Sequence, residues 1–166
     1  MFGELRWACG GVTGLAESPT TDPNGLQYPG LESRVRLTVQ GFSGDPGEVT
    51  AVLGVSPSRT WREGDIVQPK ATLHHKTNGW ALQSPVDPHG VDPERAVQAL
   101  LDLFPDPTCF ARLPADAVAS VNCTIYGTQC RPFLCLSSAT VARLAALGVG
   151  LDVDPYELPD EETGND

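Results

Sequence analysis

The chain has 166 residues, of which 40% are hydrophobic and 19% charged, which is typical of one folded domain rather than a disordered chain. It contains no run of about 18 apolar residues, so the sequence predicts no membrane-spanning helix and no membrane partner. The formal net charge is −10, but the last fifteen residues alone carry seven acidic side chains and no basic one. With two lysines in the whole chain, the composition argues against nucleic-acid binding, which depends on neutralising phosphates.

The first part of the chain, residues 1–32, is predicted to be a disordered leader. Its Gly, Pro and Asn turn signals follow one another too closely for a helix or a strand. Docking of Trp7 on the folded domain is the alternative interpretation. The first residues contain an acid before the first base and no long apolar run, so they are not expected to form a signal peptide. This feature and the odd number of cysteines, five, predict a cytoplasmic protein with reduced thiols.

Regular spacing of apolar residues predicts the secondary structure that follows. Strict alternation of apolar and polar residues, as at 34–40, is typical of a strand with one solvent-exposed face. The pattern Asp45-Pro46-x-Glu48 is a capping box with proline at the first helical position, which predicts a helix start. The predicted elements are, in chain order, a strand at 34–40, a helix at 46–53, a strand at 79–84, a helix at 93–104, strands at 121–126 and 133–136, a helix at 139–147 and a strand at 149–154.

These elements predict one α+β domain at 33–158, with the order β-α-β-α-β-β-α-β. The expected architecture is a two-layer sandwich, in which helices cover one face of a mixed or antiparallel sheet of about five strands. The strands at 121–126 and 133–136 form a predicted hairpin, and residues 55–78 a long loop. Residues 159–166 are predicted to be an acidic disordered tail.

Three stretches of this predicted domain carry a family pattern. They are Gly-Asp-Pro-x-Glu-Val-Thr within 44–65, Gly-Trp-Ala-Leu-Gln-Ser at 79–84, and Leu-Gly-Val-Gly-Leu-Asp within 136–156. Their most specific parts are Pro57-Ser-x-x-Trp61-x-x-Gly64 and the Leu-Gly-x-x-Leu-Asp ending. On these motifs the chain resembles the bacterial domain-of-unknown-function family DUF4279 over about residues 34–157. The resemblance implies a compact domain, often a whole small protein, and brings no established activity and no catalytic residues. The long leader and the proline-broken second helix depart from the family's usual pattern.

The spacing of cysteines and histidines argues against a metal site. Four cysteines follow one another in the second half of the chain: Cys109, Cys123, Cys130 and Cys135. They lack the Cys-x₂₋₄-Cys pairs that present two thiolates to one zinc ion. The adjacent His74 and His75 would point to opposite faces of a strand, so together they cannot chelate one ion. The sequence therefore predicts no metal, no cofactor and no catalytic residue.

An enzyme is the alternative hypothesis. It would use His74 or His75 with His89, and the Asp152 and Asp154 carboxylates, which share one face of the last predicted strand. Such a protein would act on a small molecule or depend on a metal. Exposed polar residues alternating along a strand are the ordinary explanation of the two aspartates.

The best candidate for a binding surface is the stretch around Trp61, with Arg59, Arg62 and Asp65. Tryptophan and arginine are enriched at binding hot spots, and loops commonly carry function. The alternative is structural: Trp61 packs against Trp80 to seal the sheet, and the two arginines cover them with their aliphatic stems. Both interpretations stay open at this point.

The function predicted from these features is non-enzymatic protein binding. The domain is small and lacks a recognisable catalytic constellation, and it combines an acidic end with a tryptophan- and arginine-containing loop. An immunity or antitoxin-like protein, which neutralises or regulates a partner protein, is the most concrete form of this hypothesis. The partner's identity and the oligomeric state are left open.

Overall fold

The computed structural model describes residues 28–68, 72–128 and 130–159. Most of the predicted leader, including Trp7, and nearly all of the predicted acidic tail lie outside these ranges. Within the described ranges, no helix is both long enough and apolar enough to cross a membrane.

Five strands and four helical segments make up the described domain. They are β1 (Leu31–Gln40), α1 (Pro46–Leu53), β2 (Arg59–Trp61), β3 (Gly79–Gln83), α2 (Pro93–Leu101), a 3₁₀-helix (Pro107–Arg112), β4 (Val118–Thr128), α3 (Ser138–Leu147) and β5 (Gly150–Leu158). The strands form one sheet in the order β2-β3-β1-β4-β5. All neighbours are antiparallel except β4 and β5, which run parallel. This mixed five-stranded sheet with helices against it confirms the predicted α+β class.

The predicted order of elements is wrong in two places. Residues 59–61 form a short strand within the predicted loop, and the predicted hairpin strand at 133–136 does not form. The physical reason is competition for β4: β1 and β5 already occupy both of its edges. The chain after β4 instead turns back over Gly127, where a Cβ atom would lie 2.2 Å from the carbonyl oxygen of Cys130. The apolar residues that follow therefore lie against the sheet without joining it.

The two faces of the sheet differ because the strands alternate. In β1, Val35, Leu37 and Val39 are buried, whereas Arg34 and Arg36 are exposed. Buried residues of all three α-helices and of the 3₁₀-helix join the same core as these β1 residues, among them Val49, Leu53, Val97, Leu100, Phe110 and Leu144. The helices therefore cover one face, and no helix of the described ranges lies on the other.

Local capping signals fix the helix starts. Asp45 accepts a hydrogen bond from the Gly47 N–H at 2.7 Å, and Glu48 completes the predicted capping box. Ser137 caps α3 through the backbone N–H of Thr140. These caps hold each helix over the covered face, and they set where the connecting segments reach the sheet.

Candidate functional site

The residues singled out around Trp61 lie at one edge of the sheet. In β2, Thr60 is opposite Trp80 and Trp61 is opposite Gly79. Since side chains alternate between the faces, Trp61 and Arg59 lie on the face away from the helices. Trp80 is fully buried on the other face, where its indole N–H donates to the Thr50 hydroxyl at 3.0 Å. The interpretation that Trp61 and Trp80 pack together is therefore wrong.

Trp61 is held between a glycine and a histidine. Its indole lies directly over Gly79, where a Cβ atom would come within 2.0 Å of the ring. On the other side the indole stacks on His75, with ring centroids 4.8 Å apart and an interplanar angle of 22°. The Arg59 guanidinium lies 5.9 Å from the ring centroid. The side chain is half-buried, so packing and exposure are combined in this one residue.

The segment that supplies His75 folds back on itself, and we call residues 62–68 and 72–78 the arm. Backbone hydrogen bonds join its two halves: Gly64 N–H to the His75 carbonyl at 2.9 Å, His75 N–H to the Asp65 carbonyl at 2.8 Å, and Val67 N–H to the Leu73 carbonyl at 2.9 Å. Asn78 closes its base by donating to the Gly44 carbonyl at 2.8 Å and accepting from the Glu63 N–H at 2.8 Å. The arm thus continues the hairpin of β2 and β3 beyond Trp61 and stacks its His75 on the Trp61 ring.

Arg62 and Asp65 hold the turn at the start of the arm. Asp65 accepts from the Arg62 N–H at 2.7 Å. The Arg62 guanidinium pairs with Asp45, the residue that caps α1. The hydrogen bond from the Gly47 N–H, and then the Arg62 pair, hold the pKa of Asp45 below its ordinary value. Two of the four predicted residues, Arg59 and Trp61, therefore share a sheet face, while Arg62 ties the arm to the cap of α1 and Asp65 holds the turn.

The surroundings of the stacked His75 lower the pKa of its imidazole, which favours the neutral form. Partial burial is the main cause that lowers its pKa, and the positive charge of Arg59 adds to the effect, while Asp65 opposes it. Its buried Nε2 atom has no hydrogen-bond partner among the described residues. A neutral imidazole can lie flat on the Trp61 ring beside an arginine without charge repulsion.

The face without helices, which we call the open face, extends from Trp61 to β5. One polar row crosses three strands: the Thr38 hydroxyl donates to Asn122 Oδ1 at 2.7 Å, and Asn122 Nδ2 donates to Asp152 at 3.0 Å. The register places Asp154 on this face as well, opposite Thr124. Hydrogen bonds between neighbouring strands thus order the centre of the open face.

Aromatic and arginine side chains occupy the same face. Tyr126 stacks on Tyr156 with ring centroids 5.3 Å apart, and the Arg34 guanidinium lies 5.3 Å from the Tyr126 centroid. Arg34 also pairs with Glu32. Arg36 is exposed, and no ion pair involves it within the part of the chain that the structure describes. Sequence reasoning missed these residues, although they are the polar alternates of the strand patterns that predicted the core.

The groups of the enzyme hypothesis do not meet. His75 lies at the β2 edge, whereas Asp152 lies on β5, four strand spacings or about 19 Å across the sheet. His89 bridges to Glu32, at the end of β1 remote from Gly79. Across the described ranges, no three His, Cys, Asp or Glu side chains are grouped so as to hold a metal ion.

The buried cysteines behave as core residues. Cys123 faces the core, and burial raises its thiol pKa to about 12. Burial also raises the pKa of Cys109. Because the thiolate is the reactive and metal-binding form, neither side chain is suited to nucleophilic chemistry at neutral pH.

Comparison with known families agrees with the motifs at 44–65, 79–84 and 136–156. A family model described as a domain of unknown function, DUF4279, matches residues 31–158. The chain belongs to the DUF4279 family. The DUF4279 match spans β1 to β5, so both sheet faces and the arm lie inside the family domain. No curated protein and no solved structure matches the chain.

Proposed function

We propose that this DUF4279 domain is a non-enzymatic, cytoplasmic protein-binding module whose partner lies against the open face. Neutralising or regulating that partner, as an immunity protein or an antitoxin does, is the most concrete form of the proposal. The observation that carries it is a sheet face that no described helix covers and that presents arginine and tyrosine side chains together. These residue types are enriched at the centres of protein interfaces.

The size of the open face supports this proposal. The five strands have 38 residues, which at about 3.3 Å along a strand and about 4.8 Å between strands give a surface of roughly 600 Å². A stable complex of ordinary size buries about 600–1,000 Å² on each partner. A partner that covered the whole sheet would therefore reach the lower end of this range without using the helical layer.

The charges on the open face are separated. Arg59, Arg34 and Arg36 lie on β2 and β1, whereas Asp152 and Asp154 lie on β5 at the opposite edge. A partner with acidic groups over the arginines and basic groups over the aspartates would associate faster and in one orientation. The distance between His75 and Asp152 also favours binding over catalysis, because these groups cannot act on one small substrate.

Arg36→Glu tests the proposal, because it reverses an exposed charge at the centre of the open face. The matched control is Arg112→Glu, which makes the same change on the 3₁₀-helix of the other layer. Tagged wild type and variants are used to capture proteins from the native host, and each is co-expressed with the product of the neighbouring gene. We expect Arg36→Glu to weaken capture about tenfold or more and to abolish any neutralisation, and Arg112→Glu to leave both unchanged.

One result would sink the proposal. If Arg36→Glu and Tyr126→Ala both captured the same proteins as the wild type, in the same amounts, the open face would not be the interface. Circular dichroism melts of each variant show whether a loss of capture reflects unfolding instead.

A further inference from the structure

The last strand differs from the other four because every one of its nine residues is exposed. β5 pairs with β4 on one side only and forms an edge of the sheet. Leu151 and Val153 are 38% and 41% exposed, and both belong to the face that the helices cover. The helical layer therefore stops before it reaches this edge.

Hydrogen bonds within the sheet show which backbone groups of β5 point outwards. The Val35 carbonyl accepts from Ser84, so odd-numbered residues of β1 point towards β3. Even-numbered residues of β1 and β4 consequently bond each other, as the Gly30 carbonyl and the Thr128 N–H do at the end of the ladder. Odd-numbered residues of β4 then point towards β5.

In a parallel pair, a residue that bonds to the neighbouring strand does so with the two residues that flank the one opposite it. The opposite residue itself directs its N–H and carbonyl away from the pair. Leu151, Val153, Pro155 and Glu157 are opposite the odd-numbered residues of β4. Their backbone N–H and carbonyl groups therefore face outwards. Proline is tolerated at such an outward position of an edge strand, because its missing N–H interrupts no ladder of hydrogen bonds. Among the described residues, the outward N–H and carbonyl groups of Leu151 and Val153 have no partner, so each residue offers both groups to a further strand.

An apolar groove lies next to these free groups. Its volume is about 380 Å³, and it opens between β5 and the extended segment that follows β4. Eight residues line it, none of them charged: Ile125, Pro132, Phe133, Leu134, Leu136, Leu151, Val153 and Pro155. A volume of this size lies in the range of ligand-binding clefts, about 300–1,000 Å³. We call it the edge groove.

On the open face, the other face of the sheet, the β5 edge is acidic. Asp152 and Asp154 are exposed and lie on the open face, two residues apart. Side chains of a strand added beside β5 would alternate, so one set would enter the edge groove and the other would lie beside the two carboxylates. The first set would be apolar and the second basic.

From this arrangement we infer that β5 and the edge groove bind an extended protein segment in which apolar residues alternate with lysine or arginine. The segment adds a sixth strand to the sheet, bonds to the free groups of Leu151 and Val153, and places its apolar residues in the edge groove. This inference rests on the proposed function only in that the partner is a protein, because the surface is different. Strand addition takes affinity from the backbone and specificity from alternate side chains.

A second copy of the chain fits this edge poorly. Two copies that formed one continuous sheet across a two-fold axis would place one residue of β5 opposite its own equivalent. With Asp154 at the centre, two carboxylates would meet, which is destabilising. With Pro155 at the centre, two residues without an N–H would meet. Charged residues and proline are common devices that keep exposed edges from pairing with their own kind.

Peptide titration against the full chain tests the inference. The probe is a peptide of about seven residues in which lysine alternates with leucine and valine. Its control is an isomer of the same composition with the lysines in one block. An alternating peptide with glutamate in place of lysine tests the charge. We expect the alternating lysine peptide to bind about tenfold or more tighter than either control.

Two variants locate the binding site. Val153→Arg puts a charge into the edge groove and should weaken the alternating peptide about tenfold. Asp154→Lys reverses one carboxylate and should weaken it about threefold to fivefold. Leu73→Arg and Glu63→Lys are the matched controls, since both positions are exposed on the arm at the opposite edge. We expect these two controls to bind the peptide like the wild type.

Three results would overturn the inference. The first is equal affinity for the alternating peptide and for the isomer with its lysines in one block, because binding would then depend on net charge alone. The second is undiminished binding by Val153→Arg. The third is a wild-type dimer in analytical ultracentrifugation that Val153→Arg converts to a monomer, because a second copy would then occupy the edge. If the wild type does not bind the alternating lysine peptide while Arg36→Glu lowers protein capture as expected, only this inference is overturned and the proposed function stands.

Discussion

The two edges of the sheet are finished in different ways. At one edge, β2 has only three residues, and the arm that follows it stacks His75 on Trp61. At the other edge, β5 has nine residues, all exposed, with an apolar groove beside it. Since an exposed edge strand is a template for pairing, the contrast is between a short edge that offers little backbone and a long edge that offers the backbone of Leu151 and Val153.

At the β2 edge, removing the Trp61 side chain should have the largest effect on stability. We expect Trp61→Ala to lower the free energy of unfolding by about 2–3 kcal/mol, less than for a fully buried tryptophan because the indole is half-exposed. Tyr156→Ala is the matched change at the open edge and should cost less than about 1 kcal/mol. Urea denaturation followed by circular dichroism measures both. Equal losses for the two variants would contradict the difference between the edges.

Two glycines offer a smaller and sharper test. In Gly79→Ala the new methyl group would meet the Trp61 ring, so the indole must move, at a cost of about 1–3 kcal/mol. In Gly150→Ala, on β5, the nearest atom to the new methyl group lies 3.6 Å away, which is ordinary contact. We expect this second variant to be as stable as the wild type. In the Trp61→Ala background, the cost of Gly79→Ala should largely disappear, as a double-mutant cycle would show.

The smallest effect concerns pH. Because the folded state lowers the pKa of His75, its contribution to stability is complete above the ordinary value of 6.5 and is lost as the pH falls through the lower, folded value. We expect acid to loosen the stack between Trp61 and His75 in this window. A change of tryptophan fluorescence between pH 7 and 5 that His75→Asn removes would agree with this expectation. An identical change in His75→Asn would assign it to another group.

The sequence predicted what depends on neighbouring residues. The alternation of Val35, Leu37 and Val39 predicted β1, and the capping pattern at Asp45 predicted the start of α1. These signals are local, because the side chain and the backbone it bonds lie within one turn or one strand. The α+β class followed from the same local signals.

What the sequence did not predict depends on distant pairing. β2 is three residues long and is a strand only because it pairs with β3, about twenty residues later in the chain. The segment 133–136 has the composition of a strand, but it does not pair with β4 because β1 and β5 occupy both edges of that strand. In the same way, the face on which Trp61 lies follows from its register with Gly79, and a shift of one residue would have placed it in the core.

Backbone hydrogen exchange at the two edges tests the central contrast most directly. We expect the outward amides of Leu151 and Val153 to exchange rapidly, and those of Val67 and His75, which bond within the arm, to be protected. Adding the alternating lysine peptide should slow exchange at Leu151 and Val153 and leave the arm unchanged. Protection of Leu151 and Val153 without any peptide, or a change confined to the arm when peptide is added, would contradict an accessible edge at β5.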